Sequence, residues 1–99
     1  MSVERHHLGH QTRYDLSNEA GLASVLIYTE DPDEPALWKV LRPGPGGQLD
    51  LYSTQQFADP DAARLRAWLS PVVGSDQAAE LARAVDAAPP APAGWRSGR

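Results

Sequence analysis

The stretch LASVLIYT, residues 22–29, decides the fold class of this 99-residue chain. It is rich in β-branched and aromatic residues, which favour extended strands over helix. Apolar side chains occupy both alternating sets of positions, namely Leu22, Leu26 and Tyr28 on one side and Ala23, Val25 and Ile27 on the other. A strand that is apolar on both faces is typical of the middle of a covered sheet. The stretch therefore predicts an inner strand with a neighbour on each side.

The segments before and after this strand have strand patterns of their own. Residues 11–16 alternate, with Thr12, Tyr14 and Leu16 on one side, and this predicts a half-buried strand. Residues 36–42 and 48–54 continue the alternation. The connections between these segments are short and contain turn-forming residues, so consecutive strands are expected to pair antiparallel as a meander.

The period of the sequence then changes from strand to helix. Asp59 is the expected N-cap of a first helix and Pro60 its first residue. The apolar stripe of this helix consists of Leu65, Trp68, Leu69, Val72 and Val73. We expect its tryptophan to be largely buried, and Pro71 to end or bend the helix. Ser75 is the expected cap of a second helix, which stops before Pro89.

This order of elements predicts one α+β domain over residues 10–88. A four-stranded antiparallel meander would be followed by two short C-terminal helices packed on one face, in the order β-β-β-β-α-α. Residues 1–9 have no apolar period and are expected to form a flexible N-terminal tail. Residues 89–99 are rich in proline, alanine and glycine and are expected to form a disordered tail.

Composition excludes several classes of protein. The chain has no cysteine, which removes disulfides, thiol nucleophiles and thiolate metal sites. Thirteen acidic and nine basic residues give a net charge of −4, the wrong sign for a protein that follows a phosphate backbone. No apolar run is long enough to span a membrane and no signal peptide is recognisable, so we expect a cytoplasmic protein. Eight arginines against one lysine are typical of a high-GC bacterial source.

Three candidate chemical sites have simpler structural explanations. His6, His7 and His10 lack a metal-binding pattern and fit a polar tail. The acidic residues 30–34 lack the glycine and the terminal glutamate of a calcium loop, and they fit a hairpin tip. The glycine-rich residues 43–47 precede a strand, whereas a phosphate-binding loop precedes a helix. We therefore predict no catalytic residue, no metal site and no cofactor.

Two helices cover only one face of such a sheet, whereas the inner strands are apolar on both faces. We predict that the second face is an interface with a charged rim, formed by Leu26, Tyr28, Leu37, Lys39, Leu41 and Tyr52. Trp95 in the C-terminal tail has no local core, and it is a candidate anchor for a partner.

These observations favour a small non-enzymatic interaction or accessory protein that forms a homodimer through its exposed apolar sheet face. One alternative is a nucleic-acid-associated regulator, which requires Arg13, Lys39 and Arg42 to form one basic patch. Another is a small enzyme or ligand carrier, which requires a deep pocket between the sheet and the helices.

Overall fold

Five strands and two helices follow one another along the chain. The computed structural model describes residues 1–30, 36–57 and 61–90. The elements are β1 (Ser2–Leu8), β2 (Gln11–Asn18), β3 (Gly21–Thr29), β4 (Ala36–Pro43), β5 (Leu49–Phe57), α1 (Ala62–Val73) and α2 (Ser75–Ala87). The strands form one antiparallel sheet in the order β1-β2-β3-β4-β5, with each strand beside the next. The predicted α+β class and the two C-terminal helices are confirmed.

The strand count corrects the prediction of four strands and a flexible N-terminal tail. Residues 2–8 pair with β2 in regular register, from Ser2 opposite Ser17 to Leu8 opposite Gln11. Gly9, at φ +58, opens the two-residue turn between the two strands, a conformation that glycine adopts without strain. β1 shows no apolar period because it is an edge strand exposed on nearly its whole length.

The core lies between one face of the sheet and the two helices. The strands contribute Tyr14, Leu16, Leu26, Tyr28, Ala36, Trp38 and Val40, and the helices contribute Leu65, Leu69, Ala78, Leu81, Ala82 and Val85. All of the strand residues in this set are even-numbered, because alternate side chains of a strand point to the same face. The predicted partition of Trp38 and Val40 away from Leu37, Lys39 and Leu41 is therefore confirmed.

The first helix begins later than predicted. Asp61 is its N-cap, and the Asp61 carboxylate accepts a hydrogen bond of 2.7 Å from the main-chain N–H of Arg64. Asp59 and Pro60 lie outside the described residues. Pro71 lies inside the last turn of α1, and the helix continues past it to Val73.

The Asp61 cap gives a first testable prediction. Asp61→Ala should lower the free energy of unfolding by about 1 kcal/mol, because it leaves a main-chain donor of the first turn without its acceptor. Asp61→Asn should retain most of the stability, because asparagine caps about as well as aspartate. Chemical denaturation of the two variants measures the difference. Equal losses for both substitutions would assign the effect to charge rather than to the cap.

Candidate interaction surface

The helices leave the other face of the sheet uncovered in the described part of the chain. We call this the open face, and three cross-strand rows define it. The rows are Glu4, Asp15, Val25, Leu41 and Leu51; His6, Arg13, Ile27, Lys39 and Thr54; and Leu8, Gln11, Thr29, Leu37 and Gln56. The register of the strands therefore brings together residues from all five strands.

The predicted interface residues do not all lie on this face. Tyr28 pairs with Trp38 and Leu26 pairs with Val40, so both belong to the face that the helices cover. Leu26 is fully buried and Tyr28 is 2% exposed, and both belong to the core. Their grouping with the open-face residues is wrong because it assumed that Tyr28 and Lys39 share a face. A one-residue change of register moves every side chain of a strand to the opposite face.

Tyr52 also lies apart from the open face. Regular pairing of β4 and β5 shifts between Val40 and Leu41, and Tyr52 is the extra residue on β5. The Arg42 guanidinium lies 4.9 Å from the centre of the Tyr52 ring. Arg42 also donates a hydrogen bond to the main-chain oxygen of Val72 in α1, so the pair belongs to the helix side. Tyr52 is 51% exposed there.

Leu37, Lys39 and Leu41 do share the open face, as predicted. Two further apolar residues that the sequence analysis did not assign to the interface, Ile27 and Leu51, lie in the same rows. Together with Val25, which is itself fully buried, they form what we call the apolar half of the open face, which consists of Val25, Ile27, Leu37, Leu41 and Leu51. Leu51, at 57% exposed, is the most exposed of these five side chains.

The opposite half of the open face is charged. Arg13 and Asp15 form an ion pair of 2.5 Å between Nε and Oδ1. His6 Nε2 lies 3.4 Å from Glu4 Oε1 and 3.8 Å from Asp15 Oδ2. These side chains belong to β1 and β2, so the charged half lies directly beside the apolar half in the same sheet.

The charges of the open face balance. Glu4 and Asp15 contribute two negative charges, and Arg13 and Lys39 contribute two positive charges. The net charge of −4 of the whole chain therefore arises elsewhere. Two copies of this face can therefore approach each other without net repulsion.

The basic patch that a nucleic-acid regulator requires does not form. Arg13 and Lys39 lie on the open face in one row, but Arg42 is held on the helix side by Tyr52 and Val72. Asp15 neutralises Arg13 directly. A phosphate backbone would therefore meet a single unpaired cation on the described open face, which disfavours nucleic-acid binding.

Two cavities lined by described residues lie on the helices. One of about 310 Å³ lies between α1 and α2 beside Ala62, Arg66, Ala79, Arg83 and Asp86. Another of about 380 Å³ lies along α1 beside Ala63, Arg66, Ala67 and Ser70. Neither enters the space between sheet and helices, where a ligand carrier or small enzyme of this fold would need its pocket.

Neither a metal-binding cluster nor a membrane-spanning helix is found among the described residues. Within residues 1–30, 36–57 and 61–90, no group of three or more histidine, aspartate or glutamate side chains is placed to hold a metal ion. Asp31, Asp33 and Glu34 of the acidic loop lie outside these ranges. No helix in the part of the chain that the structure describes is long and apolar enough to cross a membrane.

The segment after α2 is held against β1 and β2 by a group of hydrogen bonds that the sequence did not indicate. Arg5 donates to the main-chain oxygens of Pro89, at 2.8 and 3.1 Å, and of Pro90, at 3.1 Å. Tyr14 donates to the oxygen of Ala88 at 2.5 Å, and Thr12 donates to that of Pro90. Pro89 and Pro90, expected in the disordered tail, are thus part of the packed domain. Trp95 lies outside the described residues.

The chemistry of this contact explains its residue types. A cation is favourable beside the last carbonyl groups of a helix, where the helix dipole is negative. The Thr12 hydroxyl has one proton, and it is used on Pro90. The 2.7 Å contact between Thr12 Oγ1 and His7 Nδ1 therefore requires that His7 donates from Nδ1.

Removing the Arg5 side chain tests the strength of this contact. Arg5→Met should lower the free energy of unfolding by about 1–2 kcal/mol, because charged hydrogen bonds to main-chain oxygens are lost. Arg83→Met is the matched control, because within the described residues Arg83 pairs with Glu80 on an exposed helix surface, and its loss should cost less than about 0.5 kcal/mol. Thermal or denaturant unfolding compares the two, and equal losses would show that the Arg5 contact adds nothing.

Comparison with known proteins gives no relative. No protein-family model matches the chain, and neither the curated proteins nor the solved structures contain a significant match. The fold and its surface therefore define the class: an α+β protein whose five-stranded antiparallel sheet is covered by two helices on one face only.

Proposed function

We propose that this chain is a non-enzymatic interaction protein that forms a homodimer through the apolar half of its open face. The observation that supports the proposal is a sheet face that no described helix covers and that contains Ile27, Leu37, Leu41 and Leu51. Burying large apolar side chains of this kind contributes roughly 1.5–3 kcal/mol each when burial is complete. They are already partly shielded by one another, so the gain on association is smaller than this.

The charges of the open face favour a second copy of the chain as the partner. The two acids and two bases of the open face balance, so a two-fold arrangement brings neutral surface to neutral surface. A two-fold axis that lies between the two faces and crosses the strands also brings the apolar half of one copy onto the apolar half of the other.

The size of the face fits a small interface. A specific interface needs roughly 1,000 Å² of total buried surface, or about half of that on each copy. Sheets that pack face to face lie about 10 Å apart and interdigitate their side chains. Over β3, β4 and β5 the three cross-strand rows place apolar residues around Lys39, which lies between Leu37 and Leu41 on β4, with Thr29, Thr54 and Gln56 at the border.

Sedimentation of the unaltered protein tests the proposal. At micromolar concentration we expect a particle of at least twice the 10.7 kDa chain mass, with a monomer appearing only on dilution. Because the contact is mainly apolar, raising the salt concentration should not dissociate it. A particle of single-chain mass at all concentrations up to the millimolar range would overturn the homodimer.

A further inference from the structure

The two edges of the sheet differ in how they are protected. β5 departs from regular pairing opposite Val40 and Leu41, and such irregularities discourage the addition of another strand. β1 pairs with β2 without irregularity from Ser2 to Leu8, contains no proline, and is exposed at six of its seven residues. No described element lies along its outer side. β1 is therefore the edge at which a further strand can add.

The geometry of the β1–β2 hairpin determines which main-chain N–H and C=O groups of β1 face the free edge. A two-residue turn joins β1 to β2, and the residues that flank it are Leu8 and Gln11. In such a hairpin the flanking residues exchange hydrogen bonds, and bonded and non-bonded pairs alternate from there. The even-numbered residues of β1 therefore bond to β2. Val3, Arg5 and His7 direct their N–H and C=O groups to the free edge.

We propose that β1 pairs antiparallel with β1 of a second copy, which joins two five-stranded sheets into one continuous sheet. The register centred on Arg5 allows every residue from Ser2 to Leu8 to pair with a residue of the copy. It places residues whose N–H and C=O groups face the free edge opposite residues of the same kind, with Val3 opposite His7 of the second copy. It also places Glu4 opposite His6 of the second copy, on the open face and twice by symmetry.

The side chains of Glu4 and His6 select this register. A shift of two residues in one direction places Glu4 opposite Glu4 of the second copy, and a shift in the other direction places His6 opposite His6. Two glutamates directly opposite each other repel, whereas the ring N–H of a histidine can donate a hydrogen bond to a glutamate opposite it. The sequence of β1 thus complements itself only when the two strands are centred on Arg5.

Arg5 itself meets Arg5 of the second copy in this register, but its charge is directed elsewhere. Each Arg5 guanidinium is bonded to the main-chain oxygens of Pro89 and Pro90 on the helix-covered side. The contact with the segment after α2 therefore has a second role, because it keeps the two like charges from facing each other across the edge.

The edge contact is separate from the contact between open faces. It uses main-chain hydrogen bonds and a small area, so it should be weaker than the apolar contact and form at higher concentration. A chain with two different two-fold contacts can assemble beyond the dimer, and forms a tetramer where the symmetry closes. The two contacts can also be disrupted independently, because Leu41 lies on β4 whereas Glu4 and His6 lie on β1.

Amide hydrogen exchange measured by NMR at tens of micromolar and at millimolar concentration tests the edge contact. The amides of Val3, Arg5 and His7 should exchange at least about tenfold more slowly at the higher concentration, because they gain an acceptor. The amides of Glu4 and His6 are internal references, because they bond to β2 at either concentration. The Leu41→Glu variant should show the same change, since the edge does not depend on the open face.

Charge exchange on β1 tests the register. Glu4→Lys should weaken the edge association by about tenfold, because both Glu4–His6 pairs are lost. Adding His6→Glu to Glu4→Lys should restore it, because the opposite charges are again paired. Glu19→Lys is the control with the same change of charge, at an exposed position in the turn between β2 and β3.

Two results would overturn the edge contact. Rapid exchange of the three outward amides at every concentration would show that nothing adds to β1. Slow exchange at every concentration in a particle of single-chain mass would show that the chain covers its own edge. A single-chain mass combined with fast-exchanging edge amides would contradict both contacts, whereas a stable dimer with such amides would contradict the edge contact alone.

Discussion

Replacing Trp38 with alanine should lower the free energy of unfolding by about 3–5 kcal/mol. Trp38 is fully buried, and its ring packs edge-on against Tyr28 with ring centres 4.9 Å apart and an interplanar angle of 60°. Truncation removes the largest fully buried side chain of the domain and leaves a cavity at the centre of the sheet. A chain of this size has a total stability of about 5–15 kcal/mol, so the loss is a large fraction of it.

Replacing Trp68 with alanine as well separates the effect of burial on stability from the effect of residue type. Trp68 is only partly buried against the core, and its indole N–H donates to Ser53 Oγ at 2.9 Å. Trp68→Ala should therefore cost less than Trp38→Ala, by at least about 1 kcal/mol. Denaturant unfolding with each of the two variants measures both losses. An equal or larger loss at Trp68 would place the centre of the core at α1 rather than at β4.

Should Trp38→Ala fail to fold, Trp38→Phe provides the measurement. Within the described residues no hydrogen bond satisfies the Trp38 indole N–H. Phenylalanine therefore removes volume and a polar group that is unpaired in the described structure, and the loss should be nearer 1–2 kcal/mol, an order-of-magnitude figure. A larger loss for Trp38→Phe than for Trp68→Ala would indicate that the indole N–H has a partner outside the described residues.

Strands β2 to β5 were predictable from the sequence, because each has its own alternation of side chains. That alternation arises from one buried and one less buried face, and it is visible without knowledge of the partner strand. β1 lacks such a signal, because an edge strand that is exposed on both faces has no apolar side to reveal it. Its strand is instead specified by pairing with β2 and by the turn at Gly9.

The composition of the open face was less predictable than the strands. Each strand separates its own two sides, but the matching of sides between strands depends on register. The connection between β3 and β4 contains Pro32 and Pro35, and its length does not determine whether Tyr28 pairs with Trp38 or with a neighbour. Pairing Tyr28 with Trp38 places the two largest aromatic side chains in one buried cluster. Grouping the largest aromatic side chains in one buried cluster would have identified Ile27, rather than Tyr28, as the neighbour of Lys39.

The contact between the helix end and the sheet had no sequence signal at all. Arg5 and Pro89 are 84 residues apart, and the acceptors are main-chain oxygens that any residue carries. The prolines of this segment end α2, so the carbonyl groups of Ala88, Pro89 and Pro90 lie beyond the helix, where Arg5, Thr12 and Tyr14 bind them. Contacts of this kind become visible only when the topology brings the two chain ends together.

The second large effect is expected at the open face, where Leu41→Glu should weaken self-association at least about thirtyfold. Leu41 lies in the row between Val25 and Leu51, at the centre of the apolar half. In a two-fold contact each copy contributes one new carboxylate, and both would lose water in an apolar environment that offers them no partner. The variant should still fold, because the core lies on the other side of the sheet.

Three controls make this result decisive in sedimentation experiments. Ala67→Glu adds the same charge at an exposed position of α1 and should leave association unchanged. Leu41→Met keeps the contact apolar and should retain most of the affinity. Far-UV circular dichroism and the unfolding midpoint show whether Leu41→Glu keeps the fold. Association as strong as in the unaltered protein, in a folded Leu41→Glu variant, would show that copies meet through another surface, with the β1 edge as the first alternative.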